Sequence, residues 1–398
     1  MKRLLVLLLG AIGVLATLAA CGSDPTATPT SSGPAATATP TPTAKPTPTT
    51  APGQTPQPTA TPTPRSRYEL TLFVGGQGSS SYALGVGTGE IVNKNHPWLR
   101  LRIVETQGPE GILTYANEPD KRPFMINSFS QLDIGTFLNG ASPLDKPIEP
   151  MLALFLQSPN SSVGTICADP NIRTLNDLAG KRVALGVPGN GTYNGVKALA
   201  EQIGVWDKIN YQTIASSTQQ SAAYIDGRID CTSIGIIDQW TTSSAAQPMQ
   251  TRGAYTVNHG DAALFKAAAG TAKLPLEPNA VCPGAFREPL KLNYEPTRGL
   301  KTNYIAFTPG YAAPPQVPED VIYELVKTAW NNREEYRNFH VNGRFMADGL
   351  MANLVLDQKF FHPGAARFYK EISVPYGVAG HEAYLAKIKS EGKPNATC

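Results

Sequence analysis

The sequence predicts an α/β fold with two lobes, and three observations lead to that prediction. Apolar runs typical of buried strands alternate with segments of helical periodicity over most of the chain, a pattern that favours parallel sheets with helices on both faces. Two of the connections from strand to helix are rich in glycine. The chain has 398 residues, 41% of them hydrophobic, which is enough for two cores once the ends are set aside.

The first 21 residues have the pattern of a bacterial export signal. A short basic start precedes an apolar stretch, residues 4–15, that is too short to span a bilayer comfortably. The tetrapeptide LAAC that ends at Cys21 resembles a lipobox, in which the cysteine thiol takes the lipid. We therefore expect residues 1–21 to be a lipoprotein signal peptide and the lipid to anchor an extracytoplasmic protein at the outer face of the cell membrane, or in the periplasm. Ordinary signal cleavage near Ala20 is the alternative.

Residues 22–67 are rich in proline and threonine and nearly uncharged, so they cannot bury a core. Prolines favour the extended polyproline conformation, at about 3.1 Å per residue. We expect a disordered tether between the lipid and the folded part, with a reach on the order of 100 Å.

The folded part is expected to begin near Tyr68. Residues 68–74 alternate apolar and polar side chains, as a half-buried strand does. The loop GGQGSSSY at residues 75–82 follows, and a helix is predicted from there to Asn95. The further elements predicted before residue 150 are a strand over 99–105, a short helix within 109–123, and strand candidates around 125–126 and 132–134.

A second unit of strand, glycine loop and helix lies at the centre of the chain, residues 174–204. Residues 183–187 form an apolar run, and PGNG at residues 188–191 predicts a tight loop. Thr192 stands where a helix N-cap is wanted, and Gly204 is expected to end the helix.

The rest of the chain continues the alternation. The strands predicted there are residues 151–158, 162–168, 209–214, 231–237 and 304–308. The helices predicted there are residues 218–225, 260–270, an amphipathic helix from Pro318, 331–342, part of 345–356, and 365–371, which His362 is expected to cap. Residues 274–302 are rich in loops and prolines, and residues 385–398 are predicted as a polar tail.

Both glycine loops are candidate anion sites, which would face each other across a cleft between the lobes. A loop at a helix N-terminus presents unpaired N–H groups and the positive end of the helix dipole. The central loop lacks the lysine of a nucleotide P-loop and does not match the dinucleotide fingerprint. Its donors are neutral, namely backbone N–H groups, Asn190, Thr192 and Tyr193, which suits a carboxylate held reversibly. The alternative is a plain turn in which the glycines serve only the geometry.

Other classes of function find little support. The formal net charge of +3 and the absence of a Lys/Arg run beyond the N-terminus argue against nucleic acid. The chain has no G-x-S-x-G elbow and no H-E-x-x-H, and its five histidines are scattered. The serines at residues 79–81 have no base beside them, so we interpret them as hydrogen-bond donors and not as nucleophiles. We therefore expect no enzymatic activity, no cofactor and no metal site.

Four cysteines remain after the signal peptide, namely Cys167, Cys231, Cys282 and Cys398. Their spacing matches no zinc motif. Export permits disulfides, and two pairs among four cysteines allow three connectivities. Cys167 and Cys231 lie in apolar runs, so the alternative is that they are simply buried small residues.

Several motifs, in their order and spacing, resemble the TAXI-type solute-binding proteins of TRAP transporters. The motifs are the glycine-rich loop at residues 75–85, DLAGKRV followed by GVPGNGT at 177–192, YIDGRIDC at 224–231, VPEDVIYELVKTAW at 317–330, and HPGA at 362–365 with Phe368 and Tyr369. Together they cover most of residues 68–371.

The resemblance implies a two-lobe periplasmic-binding-protein (type II) fold with a ligand cleft that closes by hinge motion. It implies a small carboxylate as ligand, either an amino acid such as glutamate or glutamine, or a dicarboxylate or 2-oxoacid. The partner would be a TRAP-type membrane permease, and we expect a monomer. The ligand-binding residues carried over by position are Gly78, Ser79, Ser80, Ser81, Tyr82, Gly189, Asn190, Gly191, Thr192, Gly235, Ile236 and Asp238.

Within this fold we expect lobe one over residues 68–164 and lobe two over residues 165–300. Residues 301–398 would return to lobe one with C-terminal helices and the tail, and the two crossings would form the hinge. Ser80, Thr192 and loop N–H groups are expected to hold the carboxylate, and Tyr82 to pack against the ligand body.

Two departures from the family pattern bear on the ligand. The family has two tyrosines in the first loop, and here Ser81 stands at the first of them. The family's Q-S-D signature is missing, and either NSF at residues 127–129 or QLD at residues 131–133 stands in its place. The pocket is therefore expected to be less aromatic and differently charged.

Three other functions stay open on the sequence. The same fold serves ABC importers and ligand sensors. An enzyme on this scaffold would depend on Ser80 or Asp238. A structural surface lipoprotein would have a cleft filled by side chains.

Overall fold

The computed structural model describes residues 66–106, 108–159, 161–237, 240–241 and 243–391, which form two β-sheets with helices packed around them. The strands are β1 (Tyr68–Val74), β2 (Leu99–Glu105), β3 (Met125–Phe129), β4 (Leu152–Leu156), β5 (Ser161–Cys167), β6 (Arg182–Ala184), β7 (Asn210–Tyr211), β8 (Cys231–Ile237), β9 (Trp240–Thr241), β10 (Tyr255–Val257), β11 (Pro278–Val281), β12 (Thr302–Phe307) and β13 (Gly310–Ala313). The α-helices are α1 (Ser80–Asn95), α2 (Glu110–Asn117), α3 (Gln131–Asn139), α4 (Gly191–Gln202), α5 (Ser217–Ile225), α6 (Ser243–Thr251), α7 (Ala262–Ala272), α8 (Arg287–Leu290), α9 (Glu319–Asn331), α10 (Gly343–Ala347), α11 (Pro363–Glu371) and α12 (Val378–Ser390). Short 3-10 helices lie at Pro119–Phe124, Leu175–Leu178, Trp206–Lys208, Arg333–Asn338, Leu350–Ala352 and Gln358–Phe360.

The first sheet has the strand order β2-β1-β3-β13-β4. Strand β1 pairs in parallel with β2 and β3, whereas β13 runs antiparallel to β3 and β4. Leu70, Leu72 and Val74 alternate along β1 and are at most 1% exposed, which confirms the strand that the period-two pattern predicts. This sheet and the helices on it are called the first lobe below.

The second sheet has the order β11-β12-β5-β8-β6-β7, with β10 paired to β5 and β9 paired to β8. Strand β6 is parallel to β7 and β8, but β5 runs antiparallel to β8 and β12. The expectation of parallel sheets is therefore correct only in part, because the strands by which the chain enters and leaves this sheet run against their neighbours. This sheet and its helices are called the second lobe below.

The chain passes from the first sheet to the second between β4 and β5 and returns between β12 and β13. The two passages lie side by side, because the backbone N–H of Gln157 donates to the carbonyl of Pro309 over 2.8 Å. One passage precedes the boundary predicted at residue 164, and the other follows the boundary predicted at residue 300. A short double connection between two lobes is the geometry of a hinge.

Each lobe has its own core. One apolar cluster fills the first lobe and includes the amphipathic face of α9, where Val321, Leu325 and Ala329 are fully buried. The helix predicted from Pro318 is thereby confirmed. The second sheet has an apolar cluster on each face, since Val163 belongs to one cluster and Ile166 to the other.

The histidine at the start of α11 has the structural role that the sequence predicts. His362 is the N-cap, and its Nδ1 accepts from the backbone N–H of Gly364 over 3.3 Å. Its Nε2 lies 3.1 Å from the carbonyl oxygen of Val317. Burial lowers the pKa of His362 to about 4, so the ring stays neutral near pH 7.

Three predicted features are wrong. Residues 132–134 lie in α3 and not in a strand, because a capping box at Ser130 starts a helix there. The N-cap of α4 is Asn190 and not Thr192, since the Asn190 side chain accepts from the backbone N–H of Thr192 over 2.9 Å. Helix α12 continues to residue 390, where the sequence predicts a polar tail.

Cys167 and Cys231 form a disulfide, which corrects the alternative that they are merely buried small residues. They stand opposite each other in the antiparallel register of β5 and β8. Cys282 is disulfide-bonded as well.

The predicted signal peptide, the lipidation site Cys21 and nearly all of the tether lie outside the described residues, as do Asp238 and Cys398. Within the described ranges, no helix combines the length and the apolar character needed to cross a bilayer.

Candidate functional site

A cavity of about 320 Å³ lies between the two lobes. Residues of both sheets and of several helix N-termini line it, as do the hinge residues Gln157 and Pro309. Its volume is at the lower end of the range for small-molecule sites in proteins.

The first glycine loop joins β1 to α1 and forms one wall of the cavity. Ser79 is the N-cap of α1, and its hydroxyl accepts from the backbone N–H of Tyr82 over 3.1 Å. The Ser81 hydroxyl accepts from the backbone N–H of Gly75 and lies 2.6 Å from the Ser128 hydroxyl. The Ser80 hydroxyl also lines the cavity, and no described residue pairs with it, so it is available to a ligand.

The second glycine loop joins β6 to α4 and forms the opposite wall. Gly189 has a φ of +89°, and a Cβ there would lie 3.0 Å from a ring carbon of Pro109 in the first lobe, so this position favours glycine. Asn190 caps α4 as described above. Thr192 lines the cavity, and its hydroxyl has no partner among the described residues.

Three more helices direct their N-termini at the same cavity. Ser130 is the N-cap of α3 and Ser216 is the N-cap of α5, and both residues line the cavity. Together with Ser79, Asn190 and Pro109, which is the N-cap of α2, the N-caps of five helices therefore meet there. The first N–H groups of each helix lack partners within the helix, and each N-terminus carries a partial positive charge. The helix N-termini thus bring partial positive charge to the cavity without a basic side chain among the described lining residues.

Asp133 is the one ionisable side chain among the described residues that line the cavity. Its Oδ2 accepts from the backbone N–H of Ser130 over 2.7 Å and from the Ser130 hydroxyl over 3.2 Å. Burial raises the pKa of Asp133 from 3.8 to about 6, against the effect of these two donors. The carboxyl group is therefore mostly ionised at pH 7 to 8.

Helix α3 is tied to the hinge at its first residue. The Gln131 side chain donates to the carbonyl of Ala306 and accepts from the backbone N–H of Thr308, each over 2.7 Å. Both partners flank the return from the second sheet to the first. Asp133 is therefore held close to the point about which the lobes would move.

The two lobes touch on either side of the cavity. The Thr218 hydroxyl donates to the carbonyl of Gln77 over 3.3 Å, and the Asn194 side chain donates to the carbonyl of Ser142 over 2.8 Å. These contacts describe lobes that are closed over the cavity.

The structure brings together most of the binding residues that the sequence predicts. The cavity is lined by Ser79, Ser80, Ser81, Gly189, Asn190, Gly191, Thr192, Gly235 and Ile236. Gly78 is not among the lining residues, and a Cβ there would clash with the Thr218 hydroxyl of the second lobe. Tyr82 packs against the core of the first lobe and is not among the lining residues. Asp238 lies outside the described residues.

Several lining residues were not among the predicted ones. They are mainly polar and include Ser128, Ser130, Asp133, Ser216 and Gln220. The pattern Ser-x-x-Asp at residues 130–133 is a capping-box signal that sequence reasoning could have used to place α3. Gln220 is internally satisfied, because its Oε1 accepts from the Ser233 hydroxyl over 3.0 Å and its Nε2 donates to the carbonyl of Ile214 over 3.0 Å.

No group of three or more His, Cys, Asp or Glu side chains is placed to hold a metal ion in the part of the chain that the structure describes. The chemistry of the cavity is hydrogen bonding by neutral donors, helix-dipole fields and one carboxylate.

The fold and this site define the class: a two-lobe α/β protein of the periplasmic-binding-protein type, with a polar cavity between the lobes. Within that class, the chain belongs to the NMT1-like family, whose model matches residues 72–372.

The solved structures to which the chain is similar are distant in sequence. The chain is similar to MatC from Rhodopseudomonas palustris with bound malate, at 13% identity over 76% of this chain and 96% of that one, with a TM-score of 0.43. It is similar to the alkanesulfonate-binding protein SsuA from Xanthomonas axonopodis pv. citri bound to MOPS, at 13% identity over 84% and 97% of the two chains, with a TM-score of 0.39. It is also similar to Rpa4515 from R. palustris with adipate, at 10% identity over 82% and 97%, with a TM-score of 0.43.

Proposed function

We propose that this protein is an extracytoplasmic solute-binding lipoprotein that captures a small carboxylate between its lobes and delivers it to a membrane permease. The lipobox at Cys21 and the proline-rich tether support attachment to the outer face of the cell membrane. The family membership and the two-lobe fold support capture of a solute and not catalysis.

The observation that carries the proposal is the convergence of five helix N-termini on one cavity that has no basic side chain among its described lining residues. A ligand carboxylate would accept hydrogen bonds from the free hydroxyls of Ser80 and Thr192 and from the first N–H groups of α1 and α4. Hydrogen bonds to a charged group contribute about 1.5–3 kcal/mol each, and a helix dipole adds about 0.3–1 kcal/mol or somewhat more when partly buried. Several such contacts balance the entropy of association and give reversible binding.

Ligand binding would shift the equilibrium between the open and closed arrangements of the two lobes. Ser80 lies on the first lobe and Thr192 on the second, so a carboxylate held by both residues stabilises the closed form over an open one. The contact from Thr218 to Gln77 closes one side of the same cleft. A permease that recognises the closed form would then receive only loaded protein.

The permease that we propose is of the TRAP type, because the motifs of the chain resemble TAXI-type proteins. An ABC importer or a ligand sensor with the same fold is the alternative. The neighbouring genes distinguish them, since a fused TRAP permease favours the first proposal and an ATPase–permease pair favours the second.

The capture step can be tested by a thermal-shift screen of the purified mature protein against amino acids, dicarboxylates and 2-oxoacids, followed by calorimetry on any hit. A ligand at one hundred times its dissociation constant stabilises the folded state by about 2.7 kcal/mol, which such a screen detects. Ser80→Ala and Thr192→Ala should each weaken binding about tenfold or more, because each removes a hydrogen bond to a charged group.

Thr213→Ala is the matched control, because Thr213 is exposed and lies outside the cavity lining. It should leave the dissociation constant unchanged. Unchanged affinity in both the Ser80 and Thr192 variants, with the fold intact, would show that the carboxylate is held elsewhere.

A further inference from the structure

We infer that Asp133 determines specificity in this cavity: it binds a protonated amine or a similar N–H donor on the ligand, so that the site selects a solute with both a carboxylate and a cationic nitrogen over a dicarboxylate. The inference deepens the proposed function and rests on it for the carboxylate half of the ligand.

The first argument is the bonding of the Asp133 carboxylate. One oxygen, Oδ2, is used in the capping box with Ser130. No described residue donates to the other oxygen, Oδ1, and the side chain lines the cavity. A carboxylate oxygen that faces a cavity and lacks a protein donor is suited to accept from the ligand.

The second argument is the charge of the cavity. Asp133 has no basic side chain as a partner among the described lining residues. A partly buried carboxylate without a counter-charge is unfavourable, and a ligand ammonium group would supply that counter-charge. A dicarboxylate would instead bring a second like charge into the same small space, which selects against it.

The third argument is proximity. A Cβ at Gly191, the first residue of α4, would lie 3.9 Å from the Ser130 hydroxyl and 3.5 Å from a methyl group of Leu132. The N-terminus of α4 and the first turn of α3 are therefore packed against each other at the cavity wall, and Thr192 and Asp133, one from each of these turns, both line the cavity. A ligand whose amine and carboxylate are on the same or neighbouring carbons would place the carboxylate toward Thr192 and the amine toward Asp133.

The competing explanation is that Asp133 serves only to cap α3. The chain offers a matched control, because Thr174 and Asp177 form the same capping box on an exposed 3-10 helix of the second lobe. Asp177 accepts from Thr174 through the backbone N–H over 2.8 Å and through the hydroxyl over 3.0 Å, and it is not a lining residue of the cavity.

The experiment is isothermal titration of the mature protein with ligands that differ only in the amine. Glutamate and glutarate form one such pair, and glutamine and glutaramate form another, while 2-oxoglutarate tests a carbonyl in place of the amine. Equivalent pairs follow for any other amino acid that the screen finds, and simple alkyl amines without a carboxylate complete the set. Wild type, Asp133→Asn and Asp177→Asn are compared, and circular dichroism checks each fold.

We expect the amine-bearing member of a pair to bind wild type at least tenfold more tightly than its amine-free counterpart. Asp133→Asn should reduce that preference to about twofold or less, whereas Asp177→Asn should leave it unchanged. The wild-type comparison needs no variant, so equal binding there would overturn the role of Asp133 even where Asp133→Asn fails to fold.

The other outcomes separate the two proposals. Equal binding of amine-bearing and amine-free carboxylates to wild type would overturn the role of Asp133 and leave the proposed function standing. Binding of amines alone, lost in Asp133→Asn, would support the role of Asp133 and refute carboxylate capture. Binding of none of these ligands would refute both.

Discussion

Two capping boxes in this protein have the same local hydrogen bonds, but folding raises the pKa of the aspartate in one and lowers it in the other. In one, Ser130 and Asp133 start α3, and in the other, Thr174 and Asp177 start an exposed 3-10 helix. Burial raises the pKa of Asp133 to about 6. Partial burial would also raise the pKa of Asp177, but donors from Arg173 and Thr174 bring that pKa below its usual value. The motif therefore determines which hydrogen bonds form, and the tertiary surroundings determine whether the pKa of the aspartate rises or falls.

The largest expected difference between the two boxes follows from reversing the charge. Asp133→Lys should lower the free energy of unfolding by about 3 kcal/mol or more, because it places an unpaired cation where five helix N-termini meet. Asp177→Lys should lower it by about 1 kcal/mol, the usual contribution of an exposed cap. Urea unfolding at pH 7.5 measures both values. Equal losses would mean that the cavity field at Asp133 is negligible.

The next difference is the pH dependence of stability. Burial raises the folded-state pKa of Asp133 above its usual value of 3.8. The folded state therefore binds more protons than the unfolded state between about pH 4 and pH 6, and stability falls as the pH rises through that window. Asp133→Asn removes this loss, so relative to wild type it should be equally stable near pH 4 and more stable at pH 7.5, by at most about 3 kcal/mol.

The Asp177 variant should show the opposite trend. The pKa of Asp177 is lowered by folding, so its stabilisation is present at neutral pH and lost as the pH falls below about 4. Asp177→Asn should therefore be less stable than wild type at pH 7.5 and equal to it at low pH. Unfolding curves at several pH values test both, and parallel pH profiles for the two variants would contradict the comparison.

The change of stability with pH can be attributed to Asp133, because few other charged groups lie near its carboxylate. No other ionisable side chain lines the cavity among the described residues. At the far end of α3, Lys273 meets the helix through its backbone carbonyl, which accepts from the Asn139 side chain over 2.6 Å.

The smallest expected effect comes from removing the feature that the two boxes share, the hydroxyl group that donates to the aspartate. Ser130→Ala and Thr174→Ala each remove one hydroxyl donor to the carboxylate, over 3.2 Å and 3.0 Å respectively. Each should lower the free energy of unfolding by about 1 kcal/mol or less, with little difference between them, because the backbone N–H donor remains. Denaturant midpoints under one condition measure the pair, and a gap of more than about 1 kcal/mol would show that the local motif is not equivalent in the two settings.

Much of the fold could be predicted from local pattern. The strands β1, β2 and β8 and the amphipathic helix α9 lie where periodicity predicts them. Strand β13 was not predicted, because a buried four-residue strand has too few positions to show a period. Residues 132–134 were predicted as a strand because their apolar side chains were considered without the capping box that precedes them.

The candidate site was predictable where glycine marked it and not elsewhere. The two glycine loops drew attention to Ser80 and Thr192, and both line the cavity. Ser216 and Gln220 carry no comparable signal, because serine and glutamine are common on any surface helix. Tyr82 was predicted at the ligand, but it lies in the first turn of α1, on the side that packs against the first-lobe core.

By itself, the sequence determined the local parts of this protein: alternating strands, helices with their caps, the export pattern and the two glycine loops. These depend on side chains within a few residues of one another, so a linear pattern reports them. Only the tertiary structure decided that five helix N-termini meet in one cavity and that Asp133 lies there without a basic partner among the described lining residues. Long-range packing brings residues 80, 133, 192 and 216 together, and the exclusion of water by both lobes is what turns a helix cap into a candidate ligand contact.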